Sequence, residues 1–87
     1  MEQELTPREK HFLAFLQEKE QFTTDHPLTM DDTLDQFSLD SLDMAEIVST
    51  LEQQFSVEID IDLVEKSETI RDLYNLVEMA RKRIEDF

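Results

Sequence analysis

Residues 37–48 read FSLDSLDMAEIV. Asp40 and Ser41 are both favoured helix caps, and the residues after them carry a helical apolar period. Met44, Ile47, Val48, Leu51 and Phe55 fall at i, i+3, i+4, i+7 and i+11, one continuous stripe. Asp43, Glu46 and Glu52 lie on other faces. The spacing predicts a helix over 41–55 that buries one side and wets the other. Ser41 stands at its start, as a cap or as a hydroxyl open to chemistry. An Asp-Ser dipeptide before a helix is far more often a cap than a site.

Helical signals continue on both sides. Thr6-Pro7-Arg8-Glu9 reads as a capping box with Pro at the first helical position. Phe12, Phe15, Leu16 and Phe22 form an apolar face, and a helix is expected over about 7–21. Residues 23–40 have no sustained period and form a long loop with a helical turn near 32–37. A loop of that length in a small domain needs pinning or a function. Leu28, Met30, Leu34, Phe37 and Leu39 can pin it. Residues 56–60 form an extended link, and 61–66 a short helix. Thr69 with Asp72 opens the last helix, whose buried stripe is Ile70, Leu73, Tyr74, Val77, Ala80 and Ile84. Residues 1–5 and 85–87 are expected to fray. The fold expected for 1–87 is a single all-α domain: a small four-helix bundle of three longer helices, a short third helix and a long first loop.

Composition narrows the function. The 87 residues include no Cys and no Gly. No disulfide, thiolate metal site or catalytic thiol is possible, and a glycine-dependent nucleophile elbow is excluded. The two histidines, His11 and His26, have no signature linking them to Ser41. If Ser41 reacts, another enzyme must activate it, so the chain is not expected to be an enzyme. A Cys-free chain with neither a secretory leader nor a membrane-length apolar run fits the cytoplasm.

The net charge is −14, and residues 20–65 hold thirteen acids and no Lys or Arg. Such a block repels nucleic acid and anionic membranes and attracts proteins with basic patches. Each acid taken singly is as readily a solvated helix face. Neither DIDLVE nor DDTLD has the glycine and terminal Glu spacing of a calcium loop, so no metal site is expected beyond loose divalent binding.

Asp40-Ser41-Leu42-Asp43 resembles the Asp-Ser-Leu attachment motif of acyl carrier proteins. The resemblance runs on through SLDMAEIVSTLEQQFSVEIDIDLVEKSETIRDLYNLV and covers about residues 28–80. It implies a bundle of acyl-carrier type. It implies 4′-phosphopantetheine, joined from coenzyme A to Ser41 by a phosphopantetheinyl transferase, and acyl groups held on that arm as thioesters. It implies that Asp40 and Asp43 meet basic residues of the transferase, with Leu42 beside them. Glu46 and Glu52 extend an acidic docking face. Met44, Ala45 and Ile59 supply apolar contacts, and Asp60 and Asp62 are the acidic start of the third helix. The implied partners are acyl-loading and acyl-processing enzymes of fatty-acid, polyketide or related specialised pathways, served by a monomeric carrier.

Three positions depart from the family pattern. Phe37-Ser38-Leu39 stands where many members carry Gly, Ser49 where Met is frequent, and Asp60 where Pro is common. Two alternatives stay open: a stand-alone peptidyl or aminoacyl carrier using the same serine, and an acidic helical interaction module in which Ser41 is only a cap.

Overall fold

In the computed structural model, which describes residues 5–85, Thr6 starts the first helix by a reciprocal bond pair. The Thr6 hydroxyl accepts from the Glu9 N–H at 3.2 Å, and the Thr6 N–H donates to Glu9 Oε1 at 2.8 Å. Helix α1 spans Pro7–Gln17, four residues shorter than the sequence period implies. Lys19 turns extended, at φ −90° and ψ 137°, and Glu20–Phe22 form a separate 3₁₀ turn. The break redirects Phe22 into the core, where its ring meets Phe37 edge-on at 5.1 Å. Lys19 Nζ sits 4.5 Å from the centre of the Phe15 ring, which steadies the bend.

The remaining elements are a 3₁₀ turn over Leu34–Phe37, α2 over Ser41–Phe55, α3 over Ile61–Lys66 and α4 over Ile70–Glu85. The bounds of α2 and α3 are those the sequence implies. Helices α2, α3 and α4 pack on one another, and α1 joins them through rings. Phe12 lies 5.4 Å from Tyr74 and 5.8 Å from Phe55, and Phe15 lies 5.7 Å from Phe55. Ile47, Val48 and Leu51 of α2 face Ile70, Leu73, Val77 and Ala80 of α4 in the core, with Val64 of α3 beside them. Leu13 and Val57 are also buried, outside the expected stripes. Leu5, expected to fray, packs against the core. The Ile84 side chain, and the fraying expected of residues 1–4 and 86–87, lie outside the described residues.

The long loop is fixed from both ends. Leu28, Met30 and Leu34 are buried, and Phe37 and Leu39 are half-buried against them. Gln17 Oε1 accepts from the Leu28 N–H at 2.9 Å. The loop also caps α4. The carbonyls of Asp32 and Met30 accept from the Ile70 and Arg71 N–H groups at 3.0 and 2.9 Å. Those donors belong to the first turn of a helix, which has no intrahelical partner for them. Leu34 N–H returns a bond to the Glu68 carbonyl at 2.8 Å, closing a single bridge between Thr33 and Thr69. Inside the loop, His26 lies between Asp25 and Asp32 at 3.1 and 3.2 Å. Hydrogen bonds to these two carboxylates push its pKa above the ordinary value.

Two non-glycine residues adopt left-handed backbone. Ser38, at φ 51°, ends the turn before α2, and Ser56, at φ 56°, ends α2. A glycine-free chain has to place other residues there, at ~1–2 kcal/mol each. The departure from the family's glycine at residues 37–39 thus falls on a position that does need positive φ.

Asp72 completes the cap of α4. Its Oδ2 accepts from the N–H groups of Glu68 and Thr69 at 2.9 and 3.1 Å, and its own N–H donates to the Thr69 hydroxyl at 3.3 Å. The Glu68 and Thr69 bonds hold its pKa below the usual 3.8, against the effect of burial. A depressed carboxylate stabilises the fold above its unfolded pKa, and that contribution fades as pH falls through the folded value. Asp72→Ala is expected to cost ~1 kcal/mol at pH 7. Urea titrations should show the gap from wild type narrowing below pH 3.8. A gap independent of pH would show that the carboxylate is not the stabilising group.

Candidate functional site

The first turn of α2 settles what Ser41 does for the helix. Asp40, at φ −96° and ψ −177°, is the cap. Its Oδ1 accepts from the Asp43 N–H at 2.8 Å, and its N–H donates to Asp43 Oδ2 at 3.3 Å. Ser41 is the first helical residue, exposed, and its hydroxyl has no hydrogen-bond partner among the described residues. The reading of Ser41 as the helix cap is therefore corrected: Asp40 performs that task one residue earlier. The Ser41 and Leu42 N–H groups also find no acceptor within the described chain, as the first turn of a helix leaves its donors open. Neither histidine approaches as a base. His26 is held by Asp25 and Asp32, and the His11 ring lies 5.9 Å from Phe55 at the other end of α2.

The other site candidates divide around α2. At 100° per residue, Ser41, Ala45 and Glu52 share one edge, while Asp43 and Glu46 lie nearly opposite. Leu42 projects between them and is 68% exposed, the most exposed large apolar side chain of the described chain. Met44 and Ile59 are half-buried against the core. Ala45 and Asp62 are exposed.

Most of the acids already accept a bond within the fold. Glu46 Oε2 accepts from Gln21 Nε2 at 3.0 Å. Glu52, expected to stay wet, is half-buried, and its Oε2 accepts from the Ile59 N–H at 2.8 Å, bracing the 56–60 link against α2. Asp60 caps α3, its Oδ1 accepting from the Asp62 N–H at 2.9 Å. A carboxylate has about four lone-pair sites, so each keeps acceptor capacity for a partner. The sequence period missed the Glu52 brace because it spans a turn and leaves no local pattern.

Beside the start of α2 lies an open groove of about 470 Å³, lined by Gln21, Gln36, Leu39, Asp43 and Glu46 among others. It opens on the Asp43–Glu46 side, away from the Ser41 edge. Among the described residues no group of three or more His, Cys, Asp or Glu side chains is arranged to hold a metal ion. No described helix is long and apolar enough to cross a membrane.

A family model described as the phosphopantetheine attachment site matches residues 14–77. The chain belongs to that family. It is a phosphopantetheine-attachment domain, and its prosthetic group is 4′-phosphopantetheine. An acyl carrier protein from Thermotoga maritima has the same fold, with a TM-score of 0.70 at 20% identity, over 93% of this chain and 99% of that one. No curated protein sequence matches the chain. The start of α2 suits the prosthetic group: an accessible hydroxyl accepts the ester, and open N–H groups at the positive end of a helix dipole suit its phosphate.

The division between cap and free hydroxyl has a measurable consequence. Asp40→Ala should lower unfolding free energy by ~1 kcal/mol. Ser41→Ala should stay within ~0.5 kcal/mol of wild type, as for an exposed residue without partners. Chemical denaturation of the two variants checks both values. A larger loss for Ser41→Ala would return the cap to the serine.

Proposed function

We propose that Ser41 carries the 4′-phosphopantetheine of this domain, and that the protein holds acyl intermediates and presents them to biosynthetic enzymes without itself being a catalyst. The observation that carries this reading is the Ser41 hydroxyl: exposed, unbonded, and relieved of capping by Asp40. The prosthetic group supplies a thiol on a long arm, which a chain without Cys lacks. The chain's own residues position that arm. Asp40 and Asp43 fix the turn from which it would leave, and the open Ser41 and Leu42 N–H groups would be available to its phosphate.

The docking face proposed for the transferase and the acyl-loading and acyl-processing enzymes follows α2 and α3. Leu42 offers an exposed apolar anchor, flanked by Asp40, Asp43 and Glu46. Ala45, Met44 and Ile59 line the edge toward α3, where Glu52, Asp60 and Asp62 add charge. All eight Lys and Arg residues lie outside 20–65, so a basic partner meets no like charge along this stretch of chain. The reading is of a monomeric cytoplasmic carrier in fatty-acid, polyketide or related specialised biosynthesis.

The test is intact mass after incubation with coenzyme A, Mg²⁺ and broad-specificity phosphopantetheinyl transferases, beside Ser41→Ala. Wild type should gain one phosphopantetheine and the variant none. A folded wild type that gains nothing, or a variant that still gains, contradicts the assignment.

A further inference from the structure

The first loop closes around a histidine. His26 presents both ring nitrogens to carboxylates. Nδ1 lies 3.1 Å from Asp25 Oδ1, and Nε2 lies 3.2 and 3.4 Å from the two oxygens of Asp32. A neutral imidazole has one N–H donor and one lone pair. It can serve one of these carboxylates and must turn its lone pair toward the other. The imidazolium donates to both, so the arrangement is that of the charged ring. The backbone holds the ring in place. The His26 N–H donates to the Thr24 hydroxyl at 3.3 Å, the same hydroxyl donates to the His26 carbonyl, and Pro27 restricts the torsions of His26.

Asp32 gives this contact its reach. Its Oδ2 accepts from the Thr29 N–H at 2.8 Å, its N–H donates to the Thr29 carbonyl at 3.3 Å, and its carbonyl accepts from the Ile70 N–H at 3.0 Å. One residue thus joins the ring, the 29–32 turn and the start of α4. The charged groups on the ring are Asp25 and Asp32. Arg71, the cation that α4 brings to this corner, is directed to Asp31 at 3.3 Å and Glu9 at 3.7 Å. The bond from His26 holds the Asp25 carboxyl below the ordinary 3.8. Burial raises Asp32, but bonds from the Thr29 N–H and His26 bring it below the same value. Both carboxylates are therefore ionised near neutral pH, and the ring is the member of the three that titrates there. We propose that His26 is a proton-operated clamp: as the imidazolium it ties Asp25 to Asp32 and holds the first loop on the start of α4, and loss of its proton releases that tie. The Asp25 and Asp32 bonds raise the folded pKa of His26, so its contribution is complete below 6.5 and is lost as pH rises through the folded value. The clamp makes no use of Ser41, so its test is independent of the phosphopantetheine assignment.

The experiment is an NMR titration of the full chain at low salt, from about pH 5.5 to about pH 8.5, which brackets the histidine range. His26→Gln and Asp25→Asn are titrated beside wild type. The His26 ring should titrate above 6.5. The amide shifts of Thr29, Asp32, Ile70 and Arg71 should follow the same midpoint. Solvent exchange of the Ile70 N–H, corrected for base catalysis, should quicken by roughly two- to fivefold across it, the scale of an exposed ion pair. His26→Gln keeps His11, the other histidine, and should lose both responses. Asp25 is fully exposed, so Asp25→Asn should stay folded and lower the His26 midpoint. A ring midpoint at or below 6.5, a midpoint indifferent to Asp25→Asn, or α4 amides that do not follow the ring would each overturn the proposal. So would the same amide transition in His26→Gln.

Discussion

The hydrogen-bond pair between Asp40 and Asp43 is the contact on which the functional end of this molecule depends. A helix start needs an acceptor for its orphan N–H groups. Asp40 provides it from outside the helix and leaves Ser41 with nothing structural to do. The serine is thereby held on a rigid backbone while its hydroxyl stays exposed. Had the serine been the cap, esterifying it would have consumed the oxygen that starts α2. Placing the two roles on adjacent residues allows modification without cost to the helix. The same turn is approached through Ser38, whose left-handed backbone directs the chain from the 3₁₀ turn into the cap.

The acidic block serves two purposes at once. Asp40, Asp43, Glu46, Glu52 and Asp60 each accept a hydrogen bond that closes a cap, ties α2 to the 3₁₀ turn or braces a link. None of these bonds neutralises the charge, since the donors are backbone or amide N–H groups. The field therefore survives, as the proposed docking of basic partners requires. The arginines are confined to α1 and α4, where Arg8, Arg71 and Arg81 pair with Glu9, Glu78 and Asp31, and Lys66 closes α3. One chain thus keeps residues 20–65 free of Lys and Arg and gathers its guanidinium groups on α1 and α4.

Much of this was legible from residue spacing. The apolar stripe after the Asp40-Ser41 start signal put α2 at its observed ends, because periodicity and start signal agree there, and the short helix expected over 61–66 is observed as α3. Thr6–Glu9 and Thr69–Asp72 marked the other starts for the same reason. The end of α1 was not legible. Phe22 keeps helical phase with Phe12 and Phe15, and only its contact with Phe37, fifteen residues on, shows why the chain breaks at Lys19. Nor could spacing choose between Asp40 and Ser41 as cap, since both side chains can cap and they differ by one position. The bonds that tie the loop to α4 join main-chain groups some forty residues apart and leave no mark on side-chain pattern. Leu13 and Val57 are buried by tertiary packing rather than by helical phase.

The central claim is that Asp40 caps α2 and so leaves Ser41, at the first helical position, free to carry the prosthetic group. Fragmentation of the loaded chain, to place the added group on the sequence, tests it most directly. The account predicts all of the phosphopantetheine on Ser41, none on the exposed hydroxyls of Ser38, Ser49 or Ser56, and an unchanged helical signal after loading. A group found on another serine, or loading that unwinds α2, would contradict it.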